Sequence, residues 1–241
     1  MSYIYGKNTV LEILHSEKEV FEVLVTKQFK DNKVFSLCKQ KRIPFSVVDI
    51  AVIEKKVGHV NHQGIAAKVE DYKYYEVDEI LDGIADDHQP LLLMLDGLED
   101  PHNLGAILRT CDAVGVDGVI IGKNRSVQLN GTVAKVSTGA IEHVKVAQVT
   151  NLARTIEALQ KKGFWVVGCD NDQSVDYRKV DYNMPTVIVI GSEGFGISRL
   201  VKDKCDYHVV IPMVGHVTSL NASVATAVIL YQVYNSRFPC K

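Results

Sequence analysis

The 241 residues carry a net charge of −2, with 46% hydrophobic and 23% charged residues, the balance of an ordinary water-soluble globular chain long enough for one large domain or two modest ones. No apolar run approaches the roughly 18 residues of a membrane-spanning helix, and the opening MSYIYGKNTV lacks the charged-then-apolar pattern of a secretory signal. The five cysteines, Cys38, Cys111, Cys169, Cys205 and Cys240, are odd in number and without a Cys-x-x-Cys pair, which points to reduced, cytoplasmic thiols and away from a disulfide framework or a zinc site.

In chain order, YIYG reads as a short strand and NTVLEILHS as a helix, with Val10, Ile13 and Leu14 at three- and four-residue spacing. VFEVLVT is a strand, DNKVFSLCKQK a helix that Asp31 is placed to cap, and PFSVVDI and QGIAAKV are two more strands. These make a compact α/β unit over residues 1–70. Residues 71–89, acidic and tyrosine-rich, read as a linker with one short helix around Asp78–Ala85. From residue 90 onward PLLLMLDG is apolar without alternation, as buried parallel strands are. NLGAILRTCDAVG is a helix, VDGVIIG a strand, and LNGTVAKVSTGA a helix rich in small residues. NLARTIEALQKKG is an amphipathic helix closed by Gly163. FWVVGCD and TVIVIGSEG are strands that each run into a glycine loop, and Asn221–Asn235 is the last helix. Strands separated by helices imply a mostly parallel sheet with right-handed crossovers.

Charge divides unevenly along the chain. Residues 1–70 hold 11 Lys/Arg against 8 Asp/Glu, and residues 71–241 hold 16 against 21. A basic front, with Lys27, Lys30, Lys33, Lys39, Lys41 and Arg42 close together, is a weak sign of a polyanionic partner.

Ligands of open parallel sheets bind beyond the carboxyl ends of strands, and the marked stretches fall there. The usual nucleotide signatures fit them poorly. GSEGFG is the dinucleotide fingerprint in reverse order, and GVIIGKN has the wrong glycine spacing and Asn124 where a Ser or Thr would hold magnesium. Neither NAD nor ATP is expected. Asp100–Asn103 reads as a turn with a capping Asn. Arg109 sits in an otherwise apolar helix, and Glu193 lies between Gly191 and Gly194. Ser219 and Asn221 both precede the last helix, where capping needs only one of them.

Taken together, DPHNLGAILRT, GSEGFGIS and IPMVGHVTSLNASVATAV, in that order across about residues 90–235, resemble the three signature motifs of the SpoU/TrmH family of RNA ribose 2′-O-methyltransferases. YGKNTVLE and HQGIAAKV make the front half resemble the substrate-binding domain of the branch that methylates a guanosine of 23S rRNA. The resemblance implies an α/β fold with a small substrate-binding domain over 1–70, a linker over 71–89 and a trefoil-knotted methyltransferase domain of the SPOUT superfamily over 90–241. It implies S-adenosylmethionine as cofactor, held by the backbone of Gly191, Ile211 and Leu220, and catalytic roles for Asn103, Arg109, Glu193, Ser219 and Asn221. The small residues Ala222, Ser223 and Ala225 would let knotted segments pack closely. It implies RNA, in particular rRNA, as partner and a homodimer through the knotted domain, with no membrane, DNA or metal. His216 has no expected role.

A tRNA ribose methyltransferase is the alternative within the superfamily, though those usually carry short helical extensions in place of an α/β front. A catalytically inactive RNA-binding protein is another, disfavoured by the full set of polar motif residues. Holding Arg109 neutral near pH 7 would cost roughly 7 kcal/mol. A cationic Arg109 that binds phosphate and steadies a developing alkoxide needs no such shift.

Overall fold

The computed structural model describes residues 2–16, 18–170, 174–216 and 219–240. The chain forms two compact units, Met1–Tyr72 with Leu129–Lys135, and Lys73–Gln128 with Val136–Lys241.

In the first unit, strands β1 (Ser2–Tyr5), β2 (Val20–Thr26), β3 (Phe45–Val48) and β4 (Ile65–Val69) form a sheet in the order β1-β4-β2-β3. β4 runs antiparallel to β1 and β2, and β2 parallel to β3. Alternation along β2 sends Val23 and Val25 to one face and Leu24 to the other. Val23 and Val25 join Val10, Ile13 and Leu14 of helix α1 (Lys7–His15) and Val34 and Cys38 of α2 (Asn32–Gln40) in one core cluster. Leu24 packs with Ile53 of α3 (Ile50–Val57) in another. Asp31 caps α2 as expected, accepting from the N–H groups of Lys33 and Val34 at 2.9 and 3.2 Å. The helix α3 is absent from the sequence reading, which ran a strand through Ile50. Only Ile53 of that helix is buried, so its apolar period is too weak to stand out.

Residues 129–135 reach this unit from the far half of the chain. A Cβ on Gly131 would stand 3.2 Å from the Cα of Ile4, and the hydroxyls of Tyr5 and Thr132 share a hydrogen bond of 2.9 Å. No local pattern in LNGTVAKVSTGA announces this.

The second unit is a seven-stranded sheet in the order β7-β6-β5-β10-β8-β11-β9, with every pairing parallel. The strands are β5 (Leu91–Asp96), β6 (Gly118–Gly122), β7 (Val146–Val149), β8 (Trp165–Cys169), β9 (Val175–Asp176), β10 (Thr186–Gly191) and β11 (Tyr207–Val210). Leu92, Met94, Ile120, Val187 and Val189 pack on Ile156 and Leu159 of α7 (Leu152–Lys161). The alternate residues Leu91, Leu93, Leu95, Ile188 and Ile190 are buried too. Helix α9 (Ala222–Arg237) packs on α5 (Pro101–Val114) and on β10. Cover on both faces is what makes these strands read as unbroken apolar runs.

The remaining helices are α4 (Val77–Leu81), α6 (Gly131–Ser137) and α8 (Arg199–Lys202). α4 is shorter than the helix expected around Asp78–Ala85, and the expected small-residue helix over 129–140 ends at Ser137, with its last residue, Ala140, opening a separate 3-10 turn, Ala140–Glu142. β7, β9 and β11, short and interrupted by polar residues, were not anticipated. No described helix is long and apolar enough to cross a membrane.

From β5 the chain winds through β6 to β7 on one side, and then through β8 and β10 on the other. The order therefore switches between β5 and β10, and the crevice at such a switch point is where open parallel sheets bind ligands.

Candidate active site

Asp96 ends β5 beside Gly191, which ends β10. Asp96 reaches across and accepts the N–H of Ser198 at 2.7 Å. Between them the chain folds back on itself: Ser192 N–H donates to the Gly196 carbonyl at 3.1 Å, and Gly196 N–H returns a bond to Ser192 at 2.9 Å. A Cβ on Gly191 would lie 2.0 Å from the carbonyl carbon of Gly196, so no side chain fits there. That close approach explains the glycine at the strand end.

Helix α5 starts just beyond β5. Its cap is Asp100, which accepts the N–H of His102 at 2.9 Å, and Pro101 opens the first turn. Asn103 is therefore not the cap that the turn pattern suggested. Its side chain, 6% exposed, points into the site. Asn103 Nδ2 donates to Glu193 Oε1 at 3.0 Å, and its Oδ1 accepts from Asn221 Nδ2 at 3.0 Å.

Asn221 does two jobs. Its Oδ1 caps α9 by accepting from the N–H groups of Ser223 and Val224 at 3.0 and 3.4 Å, and its Nδ2 donates to Glu193 Oε1 at 2.5 Å. The reverse amide orientation would set an oxygen against the carboxylate. The N–H of Ala222 adds a longer bond to the same Oε1, at 3.3 Å. Two segments, in α5 and at the start of α9, thus converge on one carboxylate oxygen of a third, with Asn103 lying 90 positions from Glu193 and 118 from Asn221.

Beside this cluster is a hollow of about 700 Å³, a size suited to a nucleoside-sized ligand. Gly191, Ile211 and Leu220 line it, as does Ser219, with Ala225 and Met213. Asp170 at its edge pairs with Lys202 at 3.2 Å. Cys169 is also in the wall, and burial, with the Asp170 charge as a smaller cause, pushes its thiol up to about 11.

The structure brings Asn103, Glu193 and Asn221 together and places Ser219 in the adjoining wall. Arg109 stands apart, exposed on α5 with no hydrogen bond or ion pair among the described residues. His216 is exposed, and its motif neighbours Val217 and Thr218 lie outside the described residues. The sequence reading missed Asp96, Asp100 and Asp170. For Asp100 a signal existed, because Pro is favoured in the first helical turn and so marks the residue before it as the cap.

Residues 90–231 match the family model described as the SpoU rRNA Methylase family, which is more than half of the chain. The chain belongs to the SpoU methylase family. Residues 3–75 of this SpoU methylase match a second model, described as RNA 2′-O ribose methyltransferase substrate binding. A relative from Bacillus subtilis (strain 168), provisionally described as the TrmH family tRNA/rRNA methyltransferase YacO, is 47% identical over 241 positions, covering 98% of this chain and 96% of its own. A similarly described protein of Staphylococcus saprophyticus is 49% identical, covering 97% and 95%.

Among solved structures, the SpoU methyltransferase AviRb from Streptomyces viridochromogenes, in complex with AdoMet, aligns over 99% of this chain and 91% of its own with a TM-score of 0.74 at 22% identity. The AdoMet-bound rRNA methyltransferase from Sinorhizobium meliloti gives 99% and 88%, a TM-score of 0.73 and 23% identity. At such identities the likeness shows that the SpoU methylase chain shares their fold.

Proposed function

We propose that this protein transfers a methyl group from S-adenosylmethionine to a ribose 2′-hydroxyl of RNA, with a guanosine of large-subunit rRNA as the target. The observation that carries the reading is the convergence of Asn103, Glu193 and Asn221 beside the hollow lined by Gly191, Ile211 and Leu220. The residues there fit the cofactor. Ile211, Leu220 and Ala225 offer apolar wall to a base, the Gly191–Gly196 turn offers close backbone, and the carboxylates of Asp170 and Glu193 suit ribose hydroxyls and a sulfonium. Bound there, S-adenosylmethionine would supply a methyl group made electrophilic by its positively charged sulfonium.

This chain's own residues supply the rest. Glu193 is fixed by its three donors and in turn orients the amides of Asn103 and Asn221. Ser219, in the wall beside them, is placed to hydrogen-bond an entering hydroxyl. Arg109 stays cationic; although it stands apart from the cluster on α5, in the complex with RNA it grips phosphate and steadies the alkoxide as the 2′-hydroxyl passes its proton to water.

We assign RNA selection to residues 1–70 and catalysis to a knotted domain over 90–241, joined by 71–89, of which residues from Lys73 onward pack with the second unit. The enzyme works in the cytoplasm as a homodimer whose interface includes Val224, Tyr231 and Tyr234, which are exposed on α9.

The test uses total RNA from a strain lacking the gene and S-adenosylmethionine labelled in its methyl group. Label in a 2′-O-methylguanosine of the large rRNA is expected. Label only in bases would overturn the ribose chemistry, and label only in purified tRNA would overturn the rRNA target.

A further inference from the structure

Phe195 is 94% exposed, the most exposed aromatic side chain among the described residues. Burying a phenylalanine is strongly favourable, and a free loop would fold it onto the nearest apolar wall. This loop is not free. The paired hydrogen bonds between Ser192 and Gly196 close it, and Gly191 is pressed against Gly196 with no room for a Cβ. Gly194 and Gly196, on either side of the phenylalanine, hold φ values of +88° and +67°, which side-chain-bearing residues rarely adopt. The ring is therefore held outward by its backbone.

Its position is specific. Phe195 lies two residues beyond Glu193 and lines the same hollow. Met213, 37% exposed and also lining the hollow, adds apolar surface from the loop after β11. The polar cluster of Asn103, Glu193 and Asn221 thus adjoins a hollow whose wall carries an exposed aromatic ring. A ribose that enters beside that cluster takes its base out of the RNA stack. Splayed bases are characteristically received on aromatic faces, whatever their identity, because every base has a π face.

We propose that Phe195 is a stacking platform for the base of the RNA nucleotide whose ribose enters the site. This rests on the reading of the protein as an RNA ribose methyltransferase. Phe195 positions the nucleotide and takes no part in bond making, so its loss weakens substrate capture and spares the chemical step.

The chain has a single tryptophan, Trp165, at the start of β8 and so at the opposite end of that strand from the site. Combining Trp165→Phe with Phe195→Trp moves the only indole to the proposed platform. Total RNA from a strain lacking the gene should quench its fluorescence, and S-adenosylhomocysteine alone should not. In turnover, Phe195→Leu should raise the KM for RNA about tenfold with kcat within threefold, and Phe195→Tyr should restore the KM. Quenching by S-adenosylhomocysteine alone would place the ring on the cofactor and overturn the proposal. So would an emission already blue-shifted and unmoved by RNA, the sign of a second copy of the chain covering the ring. A normal KM in Phe195→Leu would overturn it as well. Absence of ribose methylation by the unmodified protein would sink the functional reading, while RNA-dependent quenching would still report the stack.

Discussion

Asn221 caps α9 through its Oδ1 and grips Glu193 through its Nδ2, 2.5 Å from Oε1. One side chain therefore serves both helix stability and the site, and two substitutions separate these roles. Asn221→Ser keeps a good capping oxygen, whereas Asn221→Ala removes it and should cost about 1 kcal/mol in urea unfolding. Both remove the amide donor to Glu193 and should lose most methyl transfer. An active Asn221→Ser protein would show that the amide is dispensable.

Arg109 is exposed and without a described partner, so its removal should leave the fold intact. Arg109→Ala is expected to change unfolding free energy by less than about 0.5 kcal/mol and cofactor affinity by no more than a few-fold, yet to abolish methyl transfer. Arg109→Lys should also fail, because a point charge does not reproduce a planar fork. Near-normal turnover in Arg109→Ala would reduce Arg109 to an ordinary surface residue.

Arg237, at the carboxyl end of α9, clamps two separate stretches of backbone. It donates to the carbonyls of Gln89 at 2.6 Å, Met184 at 2.8 Å, Tyr182 at 3.0 Å and Pro90 at 3.2 Å. Hydrogen bonds to charged groups are worth about 1.5–3 kcal/mol, and several share this one half-buried guanidinium. Arg237→Ala should therefore lower stability by about 3 kcal/mol, read as a fall in the urea midpoint at constant slope. Arg237→Lys should recover less than half of it.

Burial pushes the thiols of Cys169 and Cys205 up to about 11 and about 12, and raises those of Cys38 and Cys111 too. Thiolate is the reactive form, so a disulfide reagent at pH 8 should label the exposed Cys240 quickly and the other four only after unfolding. The same shifts make stability fall as pH rises from about 9 towards 12, because there the unfolded chain has released protons that the folded chain still holds. Rapid labelling of Cys169 in the folded protein at pH 8 would contradict the burial of that wall.

Much of this architecture is local and could be read from the chain. The unbroken apolar run of Leu91–Leu95 announces a strand covered on both faces, and Asp31 and Asn221 announce helix starts, since capping acts over two or three residues. The three polar stretches were also visible, because small and charged residues are conspicuous beside apolar strands. Elements with weak periods were not: α3 buries only Ile53, and β7 and β11 are four residues each.

What the sequence by itself determined was the kind of element at most positions and which residues were available for chemistry. Tertiary structure alone decided the order of the seven strands, the seating of Leu129–Lys135 in the first unit, and the meeting of Asn103, Glu193 and Asn221 without Arg109. Asn103 shows why. Its local pattern is equally good for a cap, and only the choice of Asp100 for that task, together with the parallel register that sets Gly191 beside Asp96, turns its amide towards Glu193. Contacts across 90 or 118 positions depend on how strands pair and helices pack, and neither periodicity nor capping extends beyond a few neighbours.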